Sequence, residues 1–192
     1  MNFTPENFNS VLKKIGIKKN DKLFIHSDLG LLKEYKDKNE INKTCKIIIN
    51  EFLKAVGRNG TLAFPTFTYS FANKKKYYPR KSKSICGHLS EYVKNKKPSS
   101  VYKDPNVSVV VLGKNKNFLT KNHSKNAYGE NSFFNRFYKL DGQICNINMD
   151  SASTFIHLFE RKLNVNYRTD KSFIGFVSNS KKKIKSIIYV IK

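Results

Sequence analysis

The sequence predicts an α/β fold: a single domain over residues 1–192, built as a layered sandwich with a largely parallel central sheet flanked by helices. Two observations predict this class. First, short apolar strands at residues 23–25 and 61–64 are separated by a long helical pattern, as in a crossover between parallel strands. Second, no internal repeat or domain linker interrupts the 192 residues, a length that suits one domain with a sizeable core.

The helices on either side of the first strand follow from capping signals and apolar spacing. Residues 4–6, a Thr-Pro-Glu sequence, are typical of a helix start, because they combine a capping hydroxyl, a proline and an acid. Apolar residues continue this helix as far as Ile15, and Gly16 can end it. At residues 40–56 the apolar side chains recur at helical spacing, which predicts the long crossover helix.

The later elements are predicted from β-branched runs, caps and turns. Residues 71–83 are basic, aromatic and without periodicity, which predicts a long loop. Aromatic rings among lysines could also stack on nucleic-acid bases, an alternative that the sequence leaves open. The remaining predicted elements are a short helix at Gly87–Lys94, a loop at Pro98–Asp104, a strand at Val107–Leu112, a helix from Ser132 to Leu140, a buried strand at Gln143–Asn148, and a hairpin of Phe173–Val177 with Ile184–Ile191.

The stretch that follows the buried strand, residues 150–161, carries side chains suited to acid–base chemistry. Ser151 and Ser153 are natural N-caps for a helix. Thr154, His157 and Glu160 are spaced three apart, so on a helix they share one face within an arc of about 120°. An imidazole can remove a proton while a neighbouring carboxylate orients it. The spacing alone is equally compatible with a half-exposed helix whose polar face meets water.

Polar side chains also follow the first two predicted strands. His26, Ser27 and Asp28 end the first strand, and Thr66 and Thr68 follow the second. In open α/β sheets, ligands bind at the carboxyl ends of parallel strands, so these residues are candidates for a binding site. No metal site is predicted, because the three cysteines share no close spacing.

Charge limits the partners that the protein can attract. The formal net charge is +23, from 37 basic and 14 acidic residues, and such a field attracts polyanions. Nucleic acid, phosphorylated cofactors and nucleotide sugars are all candidates. Nucleic acid is disfavoured, because only five of the basic residues are arginines and the lysines are scattered along the chain. With neither an apolar run near ~20 residues nor a signal-peptide pattern, we expect a soluble, cytoplasmic protein.

Five short motifs follow one another along the chain. They are His26-Ser27-Asp28-Leu29, the Gly-Thr-Leu-Ala-Phe-Pro-Thr-Phe-Thr sequence of residues 60–68, Gly-His-Leu-Ser-Glu at 87–91, Asp-Pro-Asn-Val-Ser at 104–108, and Thr-Phe-Ile-His-Leu-Phe-Glu at 154–160. Taken in this order, they resemble the aminoglycoside N3-acetyltransferase family of acetyl-CoA-dependent N-acyltransferases. The resemblance extends from about Gly16 to Arg168, and its two most specific motifs contain Pro65 and His157.

This resemblance implies a reaction and roles for the residues in these motifs. His157 is expected to be the general base, with Glu160 and Thr154 beside it, and transfer is expected to be direct, without an acyl-enzyme. Acetyl-CoA is the expected co-substrate, an amine-bearing sugar the expected acceptor, and an oligomer is compatible with the sequence. The residues expected to hold acetyl-CoA are His26, Ser27, Asp28, Leu29, Thr66, Thr68 and Ser108.

The chain also departs from the family pattern. Val101 and Tyr102 stand where antibiotic-modifying members commonly have Arg-Ser, residues 146–148 replace a glycine-rich strand, and the carboxyl-terminal part looks short. With few acids to hold a polycation, we expect a nucleotide-linked amino sugar in preference to an aminoglycoside antibiotic. Two alternatives remain: a basic nucleic-acid-binding protein and a catalytically inactive remnant of the family.

Overall fold

A five-stranded sheet organises the protein. The computed structural model describes residues 3–31, 35–122, 124–149 and 153–192. The sheet contains β1 (Lys22–Ser27), β2 (Thr61–Pro65), β3 (Val101–Tyr102), β4 (Val109–Gly113) and β5 (Gln143–Ile147), in the spatial order β3-β4-β2-β1-β5. The helices are α1 (Pro5–Lys14), α2 (Lys38–Val56), α3 (Gly87–Lys96), α4 (Lys116–Thr120), α5 (Phe133–Lys139) and α6 (Ile156–Lys162).

The directions of the strands confirm a largely parallel sheet. β2 and β5 both run parallel to β1. β4 is antiparallel to both of its neighbours, β2 and β3, so it alone among these five strands runs in the opposite direction. The carboxyl ends of β1, β2 and β5 therefore lie at one edge of the sheet, which is where the sequence predicts ligands.

Alternating side chains on the strands divide the core into two layers. Leu23 and Ile25 of β1 pack on one face of the sheet, in the cluster that includes the buried side chains of α1, α2 and α3. Phe24, between them, packs on the other face with aromatic residues of α5 and with Leu158 of α6. Helices thus cover both faces of the sheet, which confirms the predicted sandwich.

The long crossover helix begins two residues before its predicted start. Asp37 is its N-cap, and the carboxylate accepts hydrogen bonds from the backbone N–H groups of Asn39 and Glu40 at 2.8 and 2.9 Å. Such a cap satisfies amides that have no partner within the helix. Gly57, with φ of +66°, follows the last helical residue and allows the chain to turn towards β2.

Two predictions about the strands are corrected by the structure. The strand at residues 143–147 is an edge strand and is not buried, because β1 pairs with one side of it and Gln143 and Ile144 are exposed. The predicted loop at residues 98–104 contains the short strand β3, which pairs with β4. A two-residue strand has too little pattern to be recognised before its partner is known.

The carboxyl-terminal hairpin is confirmed and is longer than predicted. Its strands are β6 (Arg168–Phe176) and β7 (Lys183–Ile191), and Phe176 pairs with Lys183 next to the turn. β6 therefore starts five residues before the predicted strand, at Arg168. Within the described part of the chain, no helix is both long and apolar enough to cross a membrane.

Candidate active site

A cavity of about 420 Å³ opens at the carboxyl end of β1. Four residues expected to hold acetyl-CoA, His26, Ser27, Asp28 and Leu29, line it together with Thr154. The structure thus brings residues from the first strand and from the stretch before α6 to one place, as the sequence predicts. Pro65, Phe67, Cys86, Gly87 and Met149 complete much of the remaining wall.

The N-terminus of α3 forms one side of this cavity. Gly87 begins the helix with φ of +84°, and a Cβ at this position would lie 3.3 Å from the carbonyl oxygen of Ser27. Glycine therefore allows the helix end to approach the end of β1. Among the described residues no side chain caps this helix, whose N-cap is Cys86, so its first amide groups can bind a negatively charged group.

A second cavity, of about 640 Å³, adjoins the first and is basic. The two share Ile85, Gly87 and His88, and the exposed Lys38, Lys83 and Lys96 line the second. No role for His88 is predicted from the sequence. The structure makes it a half-buried residue of both walls, where burial and then the charge of Lys38 lower its pKa.

The predicted general base and its carboxylate partner are in direct contact. His157 Nδ1 lies 2.6 Å from Glu160 Oε2, and both side chains are partly buried. When Glu160 is ionised it can only accept, so the neutral imidazole donates from Nδ1 and keeps the lone pair of Nε2 free. Nε2 is then the nitrogen that can take a proton from a substrate.

Two further side chains contact the Glu160 carboxylate. Tyr167 Oη donates a hydrogen bond to Oε1 at 3.0 Å, and Arg168 Nε forms an ion pair with Oε2 at 2.9 Å. Burial raises the pKa of Glu160, but the hydrogen bonds from His157 and Tyr167 and the charge of Arg168 outweigh it and hold this pKa below its usual value. The carboxylate is therefore ionised when it meets the imidazole.

The start of α6 differs from the prediction. Ser151 lies outside the described residues, and the helix begins at Ile156 after Phe155, which provides no side-chain cap. Ser153 accepts a hydrogen bond from the Phe155 N–H at 3.3 Å, within a turn that precedes the helix. Thr154 is thus not on the helix with His157 and Glu160, although its carbonyl accepts from the His157 N–H at 3.2 Å.

His26 joins the end of β1 to this turn. Its Nε2 lies 3.0 Å from Ser153 Oγ, and its ring packs edge-on against Phe24 with the centroids 4.8 Å apart. Burial lowers the pKa of His26, so the neutral imidazole is favoured there. This contact helps to place Thr154 in the wall of the cavity.

The other expected cofactor residues, Thr66, Thr68 and Ser108, are buried. Thr66 Oγ1 donates to Ser108 Oγ at 3.1 Å, and Ser108 Oγ donates to the Thr66 carbonyl at 2.6 Å. Thr68 Oγ1 donates to the carbonyl of Pro105 at 2.9 Å. These hydroxyls hold the end of β2 to the segment before β4, and their contact with a cofactor stays a prediction.

Tyr128, Tyr167 and Arg168 were not singled out from the sequence as site residues. The Tyr128 ring packs edge-on against His157 with the centroids 5.5 Å apart. Tyr128 reaches the His157–Glu160 pair from an earlier segment, and Tyr167 and Arg168 reach it after the chain turns from α6 into β6, so no helical spacing indicates them. Within the described ranges, no group of three or more His, Cys, Asp or Glu side chains is arranged to hold a metal ion.

Comparison with known proteins relates this geometry to a family. The sequence profile of aminoglycoside 3-N-acetyltransferases matches residues 24–189. A search among curated proteins finds no match.

Similar solved structures cover nearly all of this chain. AAC-IIIb in a binary complex with CoASH is 17% identical, with a TM-score of 0.78, over 99% of this chain and 76% of that one. YokD from Bacillus subtilis is 18% identical, with a TM-score of 0.79, over 99% and 82%. AAC-VIa with bound sisomicin is 15% identical, with a TM-score of 0.82, over 99% and 77%.

At such low identity these structures demonstrate a shared fold. The family profile spans most of the chain, however, and the chain therefore belongs to the aminoglycoside 3-N-acetyltransferase family of acetyl-CoA-dependent acyltransferases.

Proposed function

We propose that this protein transfers the acetyl group of acetyl-CoA directly to an amine of a nucleotide-linked amino sugar, with His157 as the general base. The observation that carries the proposal is the 2.6 Å contact between His157 Nδ1 and Glu160 Oε2. Thr154, three residues before His157, lies in the wall of the cavity that His26–Leu29 also line, whereas His157 and Glu160 are not among the residues of that wall. The cytoplasmic location expected from the sequence belongs to the same proposal.

The residues of the two cavities suit acetyl-CoA. Ser27 lines the first cavity, and its buried hydroxyl has no hydrogen-bond partner among the described residues, so a rotation of this side chain would offer the hydroxyl to a ligand. The uncapped N-terminus of α3 and the lysines of the second cavity favour phosphate groups. We assign the pantetheine arm to the first cavity and the phosphates to the second. The cavity wall would then be supported by three buried residues that do not line it, Thr66, Thr68 and Ser108.

The chemistry follows from the protonation states of these groups. A substrate ammonium must lose a proton before its nitrogen can attack the thioester carbonyl, and Nε2 of His157 accepts that proton. A base placed in this way contributes about 10²–10⁴-fold to the rate. The carbonyl oxygen becomes negative as the nitrogen–carbon bond forms, and amides at the start of α3 or the Ser27 hydroxyl can stabilise it. Loss of the CoA thiolate completes the transfer.

The charges of the cavities support an anionic acceptor. Lys38, Lys83 and Lys96 line the second cavity, where Glu91 is the acid, and Glu91 already pairs with Lys94 at 2.8 Å. Asp28 is the acid of the first cavity. A polycationic aminoglycoside would meet few carboxylates here, whereas a nucleotide diphosphate would be attracted by the field of the whole protein.

Replacing the general base tests the reaction. We expect His157→Ala to lower kcat by about 10²–10⁴-fold, because the attacking amine then loses its positioned proton acceptor. The rate is measured as the release of CoA thiol with a saturating amine acceptor. Calorimetric titration with CoA measures binding, and we expect the affinity of the variant for CoA to change little. Glu6→Gln, in the exposed first turn of α1, is a control for a substitution outside the site. A variant that keeps full kcat would remove His157 from the mechanism.

A panel of acceptors tests the substrate class. We expect kcat/KM to be highest for a nucleoside-diphosphate-linked amino sugar, lower for the free amino sugar, and lowest for kanamycin-type drugs. Higher turnover of kanamycin-type drugs would overturn the assignment of the acceptor and leave that of the base intact. A thermal shift with acetyl-CoA distinguishes an enzyme from an inactive remnant, since a ligand that binds the folded protein raises its melting temperature.

A further inference from the structure

We propose that Arg168 is a positioning residue that shares the Glu160 carboxylate with His157 and so limits how strongly this carboxylate stabilises the protonated imidazole. The inference rests on the proposed function, in which His157 must be neutral to accept a proton. It assigns to the start of β6 a role in setting the pH range of the reaction.

The geometry places a cation and the imidazole on the same oxygen atom. His157 Nδ1 and Arg168 Nε lie 2.6 and 2.9 Å from Glu160 Oε2, while Tyr167 occupies Oε1. The Arg168 side chain is only 16% exposed, so water screens its charge less than it would on the open surface. Its Nη1 also approaches the Tyr189 carbonyl at 3.5 Å, which ties the guanidinium to β7.

Electrostatics determine the sign of the effect that Arg168 has on the His157 imidazolium. A carboxylate beside a histidine favours the charged imidazolium. A guanidinium on the same carboxylate opposes that effect, because it neutralises the negative charge and repels the imidazolium. Arg168 therefore opposes the attraction of Glu160 for the imidazolium of His157. The other titratable groups around the pair are Tyr128, Tyr167 and Tyr189, with Arg161 and Asp170 in a neighbouring ion pair.

The chain contains a matched control for a purely structural role. Arg161 also connects α6 to β6, through hydrogen bonds from Nε and Nη2 to Asp170 at 3.0 and 2.8 Å. Arg161 is hydrogen-bonded to Asp170, whereas Arg168 Nε lies 2.9 Å from Glu160 Oε2 in an ion pair without a hydrogen bond from that nitrogen. Loss of either arginine removes a bridge between the same two elements, and only loss of Arg168 removes a positive charge from beside the Glu160 carboxylate.

The experiment compares Arg168→Gln, Arg168→Lys and Arg161→Gln. The readouts are the acid limb of the pH profile of kcat/KM and the NMR titration of the His157 ring protons. For Arg168→Gln we expect both to move to higher pH by roughly one unit, which lowers kcat/KM up to about tenfold below the midpoint. Arg168→Lys should restore most of the original profile because it keeps the charge, and Arg161→Gln should leave both midpoints in place.

Unchanged midpoints in Arg168→Gln, with a fall in melting temperature equal to that of Arg161→Gln, would reduce Arg168 to a structural bridge and overturn the inference. If Arg168→Gln fails to fold, Arg168→Met supplies a second neutral variant for the same titration. The NMR titration does not depend on turnover. A parent protein without acetyltransfer would therefore contradict the proposed function, while the titration would still decide the role of Arg168.

Discussion

The ends of β1 and β2 look alike in the sequence and differ in the structure. Both strands are buried, run parallel and end in hydroxyl-bearing residues, Ser27 in one case and Thr66 with Thr68 in the other. The end of β1 opens into the 420 Å³ cavity, and the Ser27 hydroxyl has no partner among the described residues. At the end of β2, the hydroxyls of Thr66 and Thr68 are hydrogen-bonded within the protein.

The antiparallel neighbour of β2 explains the difference. β4 runs back beside β2, so the segment that precedes β4 occupies the space beyond the carboxyl end of β2. Asp104 and Asn106 in this segment also hydrogen-bond to Ser186 of β7, which holds the hairpin over it. Beside the reversed strand, the hydroxyls of Thr66 and Thr68 are therefore taken up by hydrogen bonds within the protein, although Pro65 and Phe67 at the same strand end still line the cavity.

The largest expected effect comes from replacing Asp104, in the segment that covers the carboxyl end of β2. This carboxylate accepts from the Asn106 and Val107 N–H groups, both at 2.8 Å, and burial raises its pKa. Asp104→Ala would leave these buried donors without an acceptor, so we expect the free energy of unfolding to fall by about 3 kcal/mol or more. Urea unfolding measures this loss.

The affinity of the folded Asp104→Ala protein for CoA should stay within about twofold of the parent, by calorimetry. Glu130→Ala removes an exposed acid and serves as the control, with an expected change within about 0.5 kcal/mol. Loss of CoA binding in fully folded Asp104→Ala would show that the two regions are coupled.

A smaller effect is expected at Ser108. Ser108→Ala removes the hydrogen bonds to the Thr66 hydroxyl and carbonyl inside the protein, which should cost roughly 1–2 kcal/mol of unfolding free energy. Ser10→Ala, on the exposed face of α1, is the matched control. If the Kd for CoA rises tenfold in Ser108→Ala, the hydroxyl contacts the cofactor after all, and the contrast between the strand ends disappears.

The smallest effect on stability is expected at Ser27. Its hydroxyl has no partner to lose, so Ser27→Ala should change the free energy of unfolding by no more than about 0.5 kcal/mol. The Kd for CoA should nevertheless rise about three- to tenfold, since one hydrogen bond to a ligand contributes about 0.5–1.5 kcal/mol. Isothermal titration and urea unfolding of the same preparation compare the two quantities. A lower free energy of unfolding with an unchanged Kd for CoA would show that Ser27 stabilises the core and does not contact the cofactor.

Much of the fold could be predicted because its signals are local. Apolar periodicity located α2 within two residues at its start, and the apolar run at residues 61–64 located β2. The edge position of β5 and the short strand β3 could not be predicted, because both depend on which strand lies beside them. In the candidate site, the three-residue spacing of His157 and Glu160 predicted their contact. The same spacing predicted Thr154 on this helix, but in the structure the helix begins two residues after Thr154, at Ile156.

The sequence by itself determined which segments form helices and strands, and which side chains offer an imidazole, a carboxylate and hydroxyls, because capping, periodicity and residue chemistry act over a few residues. Only the tertiary structure decided which of these groups meet. The approach of Tyr167 and Arg168 to Glu160 depends on how β6 folds back onto α6. The closure of the β2 end depends on contacts between segments distant in the chain. Such contacts arise from packing of whole layers, for which no local spacing carries a signal.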